Sequence, residues 1–138
     1  MQPIPYLFFN GNCRAAMETY GEIFSHAPDI MPFSAMPEEA RADMPGVPAD
    51  AVMHSAVKIG DGWIYASDDT GTNSSAMAGC NVAVALPDEA ETRRVWAALA
   101  DGAEVRMPLK PEFFAPLFGA LTDRFGTRWM IMQETPGN

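Results

Sequence analysis

A chain of 138 residues with 48% hydrophobic and 20% charged residues is about one domain long, large enough for a buried core and ordinary for a soluble globular protein. Its formal net charge of −9 speaks against a sequence-independent grip on nucleic acid or anionic lipid, because both need clustered Lys and Arg. No apolar run approaches the roughly 20 residues of a membrane span and no basic-then-apolar leader opens the chain, so the expected location is the cytoplasm.

Pro5-Tyr-Leu-Phe-Phe9 reads as a short buried strand, broken by Asn10-Gly-Asn12. Asn12 is an N-cap candidate, and Ala16, Met17, Tyr20, Ile23 and Phe24 fall at helical spacing from Cys13 to about Phe24. Ser25 to Pro28 ends that helix. Asp29 to Phe33 suits an edge strand, since it contains a proline. Met36 to Asp50 carries Pro37, Pro45, Gly46 and Pro48 and reads as a loop with a helical turn near Glu38 to Met44, either a lid or a solvated spacer. Val52 to Ile59 is a strand, Gly60-Asp-Gly62 a turn, and Trp63 to Ser67 the return strand. Asp68 to Gly79, small and polar, reads as a linker between two halves.

The second half repeats this plan. Asn81 to Leu86 is a strand. Asp88 caps a helix with Glu91 three residues on, and its buried stripe is Ala90, Val95, Trp96 and Leu99, with Gly102 as the stop. Ala103 to Leu109 is a strand, Lys110 to Pro116 a loop, and Leu117 to Gln133 a hairpin turning at Asp123-Arg-Phe-Gly126. The spacing therefore predicts an α+β fold of two βαβββ modules, about 4–69 and 80–134, in a single domain over 1–138. Cys13 and Cys80 are far apart and match neither a metal knuckle nor a disulfide framework, so they are expected to be free thiols.

With these words in this order, the chain resembles the vicinal oxygen chelate superfamily of glyoxalases, bleomycin-resistance proteins and extradiol dioxygenases, and within it the PhnB-like branch. The matching residues are Pro5 to Asn12 with the helix to Phe24, Met53-His-Ser-Ala56 with Ile59-Gly-Asp61, Asn81-Val-Ala-Val84, Met107-Pro-Leu109, and Phe118-Gly119 through Trp129-Met130. The resemblance implies modules curled into a cup with helices outside, paired as a homodimer. It also implies a divalent metal held by His, Gln or Glu on the first and last strands of each module. Carried over one at a time, those positions fall on Pro5 (or Tyr6, with the register moved by one), Ile64, Asn81 and Met130. Their side chains do not suit a hard or borderline cation, so no metal cofactor is expected. Some PhnB-like sequences carry a ubiquinone-methyltransferase label, yet no glycine-rich loop after a strand is present to cradle S-adenosylmethionine.

The remaining candidates are few. His54, within the word Met-His-Ser-Ala, suits a general base or a structural histidine, and a register change of one would move it to the other sheet face. His26, at a helix end, reads as structural. Asp68 and Asp69 would point in opposite directions if extended, and Glu134 lies near the cup mouth or in the tail. Tyr65, Trp63, Trp129, Phe114, Asn81 and, beside them, Phe113 could line a ligand pocket or belong to the core. Two functions follow. One is metal-independent binding of a small apolar or aromatic molecule in the cup of a homodimer. The other is a lyase, isomerase or dioxygenase-type enzyme using His54 with Asp68 or Glu134, or a non-standard metal site.

Overall fold

In the computed structural model, residues 1–71 and 75–136 are described, and the chain divides into two units, Met1–Ser75 and Ala76–Asn138. The first holds β1 (Tyr6–Phe9), α1 (Cys13–Ile23), β2 (Asp29–Pro32), a 3-10 turn (Phe33–Ala35), α2 (Glu38–Ala42), β3 (Val52–Ile59) and β4 (Gly62–Asp68). The second holds β5 (Val82–Leu86), α3 (Glu89–Ala100), β6 (Glu104–Glu112), β7 (Ala115–Thr122) and β8 (Arg128–Gln133). Strand orders β1-β4-β3-β2 and β5-β8-β7-β6 are the same order twice, so the expected α+β pair of βαβββ modules is what forms. In each sheet the first strand runs parallel to the last, and the other pairings are antiparallel.

In the first unit, strand alternation sends Leu7, Phe9, Ser55, Val57, Ile64 and Ala66 to one face, all buried, where α1 packs with Ala16, Met17 and Tyr20. Burying an aliphatic or aromatic side chain of this size stabilises by about 1.5–3 kcal/mol. The expected cap of α1 is replaced. Asn12 makes no side-chain cap bond, and Asp68 supplies it from the end of β4: Cys13 N–H donates to its Oδ1 at 3.0 Å and Val52 N–H to its Oδ2 at 2.9 Å. A residue read as linker is thus the clasp between β4, α1 and β3. The rest of the expected linker includes residues 72–74, which lie outside the described residues.

In the second unit, Trp129, Ile131, Leu121 and Leu117 are buried beneath Val95 and Leu99 of α3. Asp88 caps α3 as expected, accepting from Glu91 N–H at 2.8 Å. Thr92 completes the buried stripe with its hydroxyl on Asp88 O, while Ala90 is exposed. Gly119 permits close packing, since a Cβ there would lie 2.7 Å from the Trp96 ring and 3.0 Å from Leu109 Cα. The expected loop Lys110–Pro116 is a strand pairing instead. β6 runs through Pro108 and Pro111 as an edge strand interrupted by bulges, which leave no ladder amide missing where the prolines sit, and it turns only at Phe113-Phe114.

Candidate functional site

The face of the first sheet opposite α1 carries Tyr6 and Phe8 on β1, Met31 on β2, His54 on β3, and Trp63 and Tyr65 on β4. Register places Tyr6 beside Tyr65 and Met31 beside His54. Such large apolar rings on a sheet face normally seek cover, yet Tyr6 is 42% and Phe8 56% exposed. The rings are in mutual contact. His54 meets Tyr65 edge-on with centroids 5.1 Å apart and lies 5.8 Å from Tyr6, while Tyr6 is 5.2 Å from Phe8. Trp63 continues the row beyond Tyr65 and receives His26 edge-on at 5.4 Å.

His54 Nδ1 is 3.2 Å from the Tyr6 hydroxyl. When that hydroxyl donates, the imidazole proton is on Nε2, and the pair forms a phenol–imidazole couple able to pass a proton. Asp68 is no partner for it: its carboxylate sits on the helix side of the sheet and is engaged by two backbone amides. The pairing of His54 with Asp68 is therefore corrected, because successive strand positions alternate faces. His26 accepts from Lys58 N–H at 3.1 Å, which ties the chain after α1 to β3. Ser55 and Cys13 meet on the buried face, and burial pushes the Cys13 thiol up to about 11, so it stays protonated.

The other candidates are scattered. Trp129 is fully buried and donates its indole N–H to Asp123 Oδ2 at 2.8 Å, so it belongs to the helix-side core of its sheet, not to an open surface. Asp123 is the centre of the closing turn and also accepts from Phe125 and Thr127 N–H. Phe114 stands at the β6–β7 turn, edge-on to Phe113 and Phe118, with Phe113 at 99% exposure. Glu134 is exposed, and its N–H donates to Leu86 O. A cleft of about 550 Å³ opens in the first unit where Asn10 to Asn12 and Arg14 meet Pro45 to Pro48 and Asp68 to Thr70; the end of the 36–50 segment thus borders a concavity that none of the aromatic row lines.

The divalent cation implied by the superfamily does not fit these residues. Pro5 offers only its carbonyl, already taken by Tyr65 N–H, and the Tyr6 phenol is turned to His54. Ile64 is 2% exposed on the helix side, and Tyr65, one residue on, holds the open-face position. Sequence copying therefore misplaced that position by one residue. Asn81 Oδ1 accepts from Arg106 Nη2 at 2.6 Å, which sets a cation where the metal would need a lone pair. Met130 is a soft thioether. Among the described residues no three His, Cys, Asp or Glu side chains gather into a metal-binding group.

A family model described as 3-demethylubiquinone-9 3-methyltransferase matches residues 2–132. The chain belongs to this PhnB-like family. Among solved structures it is similar to protein PA1353 from Pseudomonas aeruginosa, 37% identical with a TM-score of 0.88 over 97% of this chain and 98% of that one. It is also similar to a putative 3-demethylubiquinone-9 3-methyltransferase, PhnB protein, from Bacillus cereus, 21% identical with a TM-score of 0.80 over 97% and 100% of the two chains. Protein YjdN of Escherichia coli (strain K12) is 28% identical over 92% of this chain and 91% of its own length. The fold extends to the fosfomycin resistance protein FosX from Mesorhizobium loti at 12% identity, a TM-score of 0.59 and coverage of 99% and 93%. No helix among the described residues is long and apolar enough to cross a membrane.

Proposed function

We propose that this PhnB-like chain binds a small apolar or aromatic molecule without a metal, as a cytoplasmic homodimer, and that the open face of the first sheet is a wall of its binding cup. The row Tyr6, Phe8, His54, Tyr65 and Trp63 carries the reading: five contacting rings, two of them largely exposed, form a stacking surface for a planar ligand. The donor set at the metal positions supports the metal-independent part. Methyl transfer is left out of the proposal despite the family's description. The β1–α1 connection Asn10-Gly11-Asn12 lies in a βαβββ sheet, not in the doubly wound sheet whose glycine-rich turn holds a nucleotide.

Native mass spectrometry of the purified protein, with Trp fluorescence titration against 1-naphthol, tests the reading. A dimer retaining a small mass, and binding that Tyr65→Ala weakens at least about tenfold, is expected. Equal binding by Tyr65→Ala, or a monomer, would sink it. A second reading rests on the Tyr6–His54 contact, which suits proton transfer in a lyase or isomerase. A retained ligand chemically altered by the wild type and left intact by His54→Gln would favour that reading.

A further inference from the structure

In a chain with nine Lys and Arg against 18 Asp and Glu, two arginines of the second unit, Arg106 and Arg128, lie near enough to interact and form no ion pair among the described residues. Arg106 is the extra residue of the β6 bulge between Val105 and Met107. Its Nη2 reaches over the neighbouring strands, donating to Leu121 O at 3.0 Å, Trp129 O at 3.4 Å and Asn81 Oδ1 at 2.6 Å. Arg128 opens β8 opposite Thr122, which in turn faces Glu104 of β6. Both guanidinium groups are half-buried, and the Nε atom of each is enclosed with no hydrogen-bond partner. The ion pairs found among the described residues involve Arg93, Arg94 and Lys110, and neither of these two arginines.

Partial burial first, and then the neighbouring Arg128, lower the pKa of Arg106, and Glu104 opposes them. A fork of guanidinium donors matches the planar or tetrahedral oxygens of an anion, and each of these arginines keeps an Nε donor without a protein partner. The Asp-x-x-Gly-x-Arg word of the closing turn delivers Arg128 here, and its Asp123 is wholly occupied in the turn. We propose that Arg106 and Arg128, with Asn81 orienting the first of them, form a binding site for an oxyanion group such as a phosphonate or phosphate. The site stands on second-unit residues alone and does not depend on what the first sheet binds.

The test is a titration of the isotopically labelled full chain, at constant ionic strength in sodium chloride, followed through the arginine Nε–H signals. Sodium phenylphosphonate is one arm and sodium phosphate the other. Saturable shifts at Arg106 and Arg128 are expected, with the exposed, ion-paired Arg93 and Arg94 unmoved. Arg128→Gln should weaken the binding about ten- to a hundredfold, and Arg94→Gln should leave it unchanged. Saturation by phenylphosphonate alone identifies an acid group carried on an organic molecule, and equal saturation by phosphate identifies the free anion. No saturable shift in either arm, or shifts shared by Arg93 and Arg94, overturns the site and leaves Arg106 as a strand staple. Since the wild-type titration decides, a variant that fails to fold does not blur the result.

Discussion

The two units are built on one strand order and fastened in opposite ways. In the second, the buried carboxylate of Asp123 serves donors at Phe125, Thr127 and Trp129, all within six residues of it. In the first, the buried carboxylate of Asp68 serves Cys13 and Val52, 55 and 16 residues away. Their open faces differ as well: a row of contacting aromatic rings with one imidazole in the first, thioethers, alanines, the single ring of Phe118 and two arginines in the second. A repeated backbone plan therefore leaves both the clasp and the binding chemistry free to diverge. Topology is carried by hydrophobic alternation, whereas clasps and sites depend on single polar side chains.

The sharpest way to break this contrast is to remove each clasp. Asp123→Ala leaves three donors, two of them backbone amides, without their acceptor and should cost about 3 kcal/mol or more in urea denaturation, with the whole β7–β8 hairpin losing protection from hydrogen exchange. Asp68→Ala should cost about 2 kcal/mol, with lost protection concentrated at Cys13 and Val52. Matching exchange patterns would refute the division into a local and a long-range clasp. Gly119→Ala comes next, at about 1–3 kcal/mol, because the added methyl meets Trp96 and Leu109 backbone at once. Unchanged stability would mean that α3 can lift off β7.

A pH effect should single out the first unit. Native Cys13 keeps its proton up to about pH 11, whereas an ordinary thiol releases it near 9. The folded-state value is raised, so its contribution is fully present below pH 9 and is lost as pH climbs from about 9 to 11. The urea midpoint should fall over that window in the wild type and fall less in Cys13→Ala; parallel curves would rule the thiol out. The smallest effect belongs to the surface of α3. Glu89→Gln, which breaks an exposed pair with Arg93, should change stability by less than about 0.5 kcal/mol.

What could be read ahead follows the same division. Strands from Val52 to Ile59 and from Val82 to Leu86, the Asp88 cap and the Asp123 turn were legible because their signals are local. Asp68 was not, since nothing near it in sequence reports donors on α1 and β3. Trp129 and Tyr65 were equally plausible as ring surfaces until register sent one under α3 and the other to the open face. A one-residue step exchanged Ile64 for Tyr65 for the same reason. Pro108 and Pro111 suggested a loop, and bulges on an edge strand absorbed them. Arg106 carried no sequence signal at all; only Asn81 and two carbonyls from other strands reveal it.

The parallel pairing of first strand with last has a consequence for synthesis on the ribosome. Tyr6 must wait for Tyr65, and Val82 for Trp129, before either sheet can acquire its β1 or β5 member. Each nascent unit then carries an unpartnered aromatic or aliphatic strand through most of its translation, a stage at which intermolecular pairing competes. Chains stalled before Gly62 clears the exit tunnel are expected to be degraded rapidly by added protease, and chains stalled well beyond Asp68 to yield a resistant first unit. Resistance in the shorter chains would show that α1 and β3 assemble without their final strand.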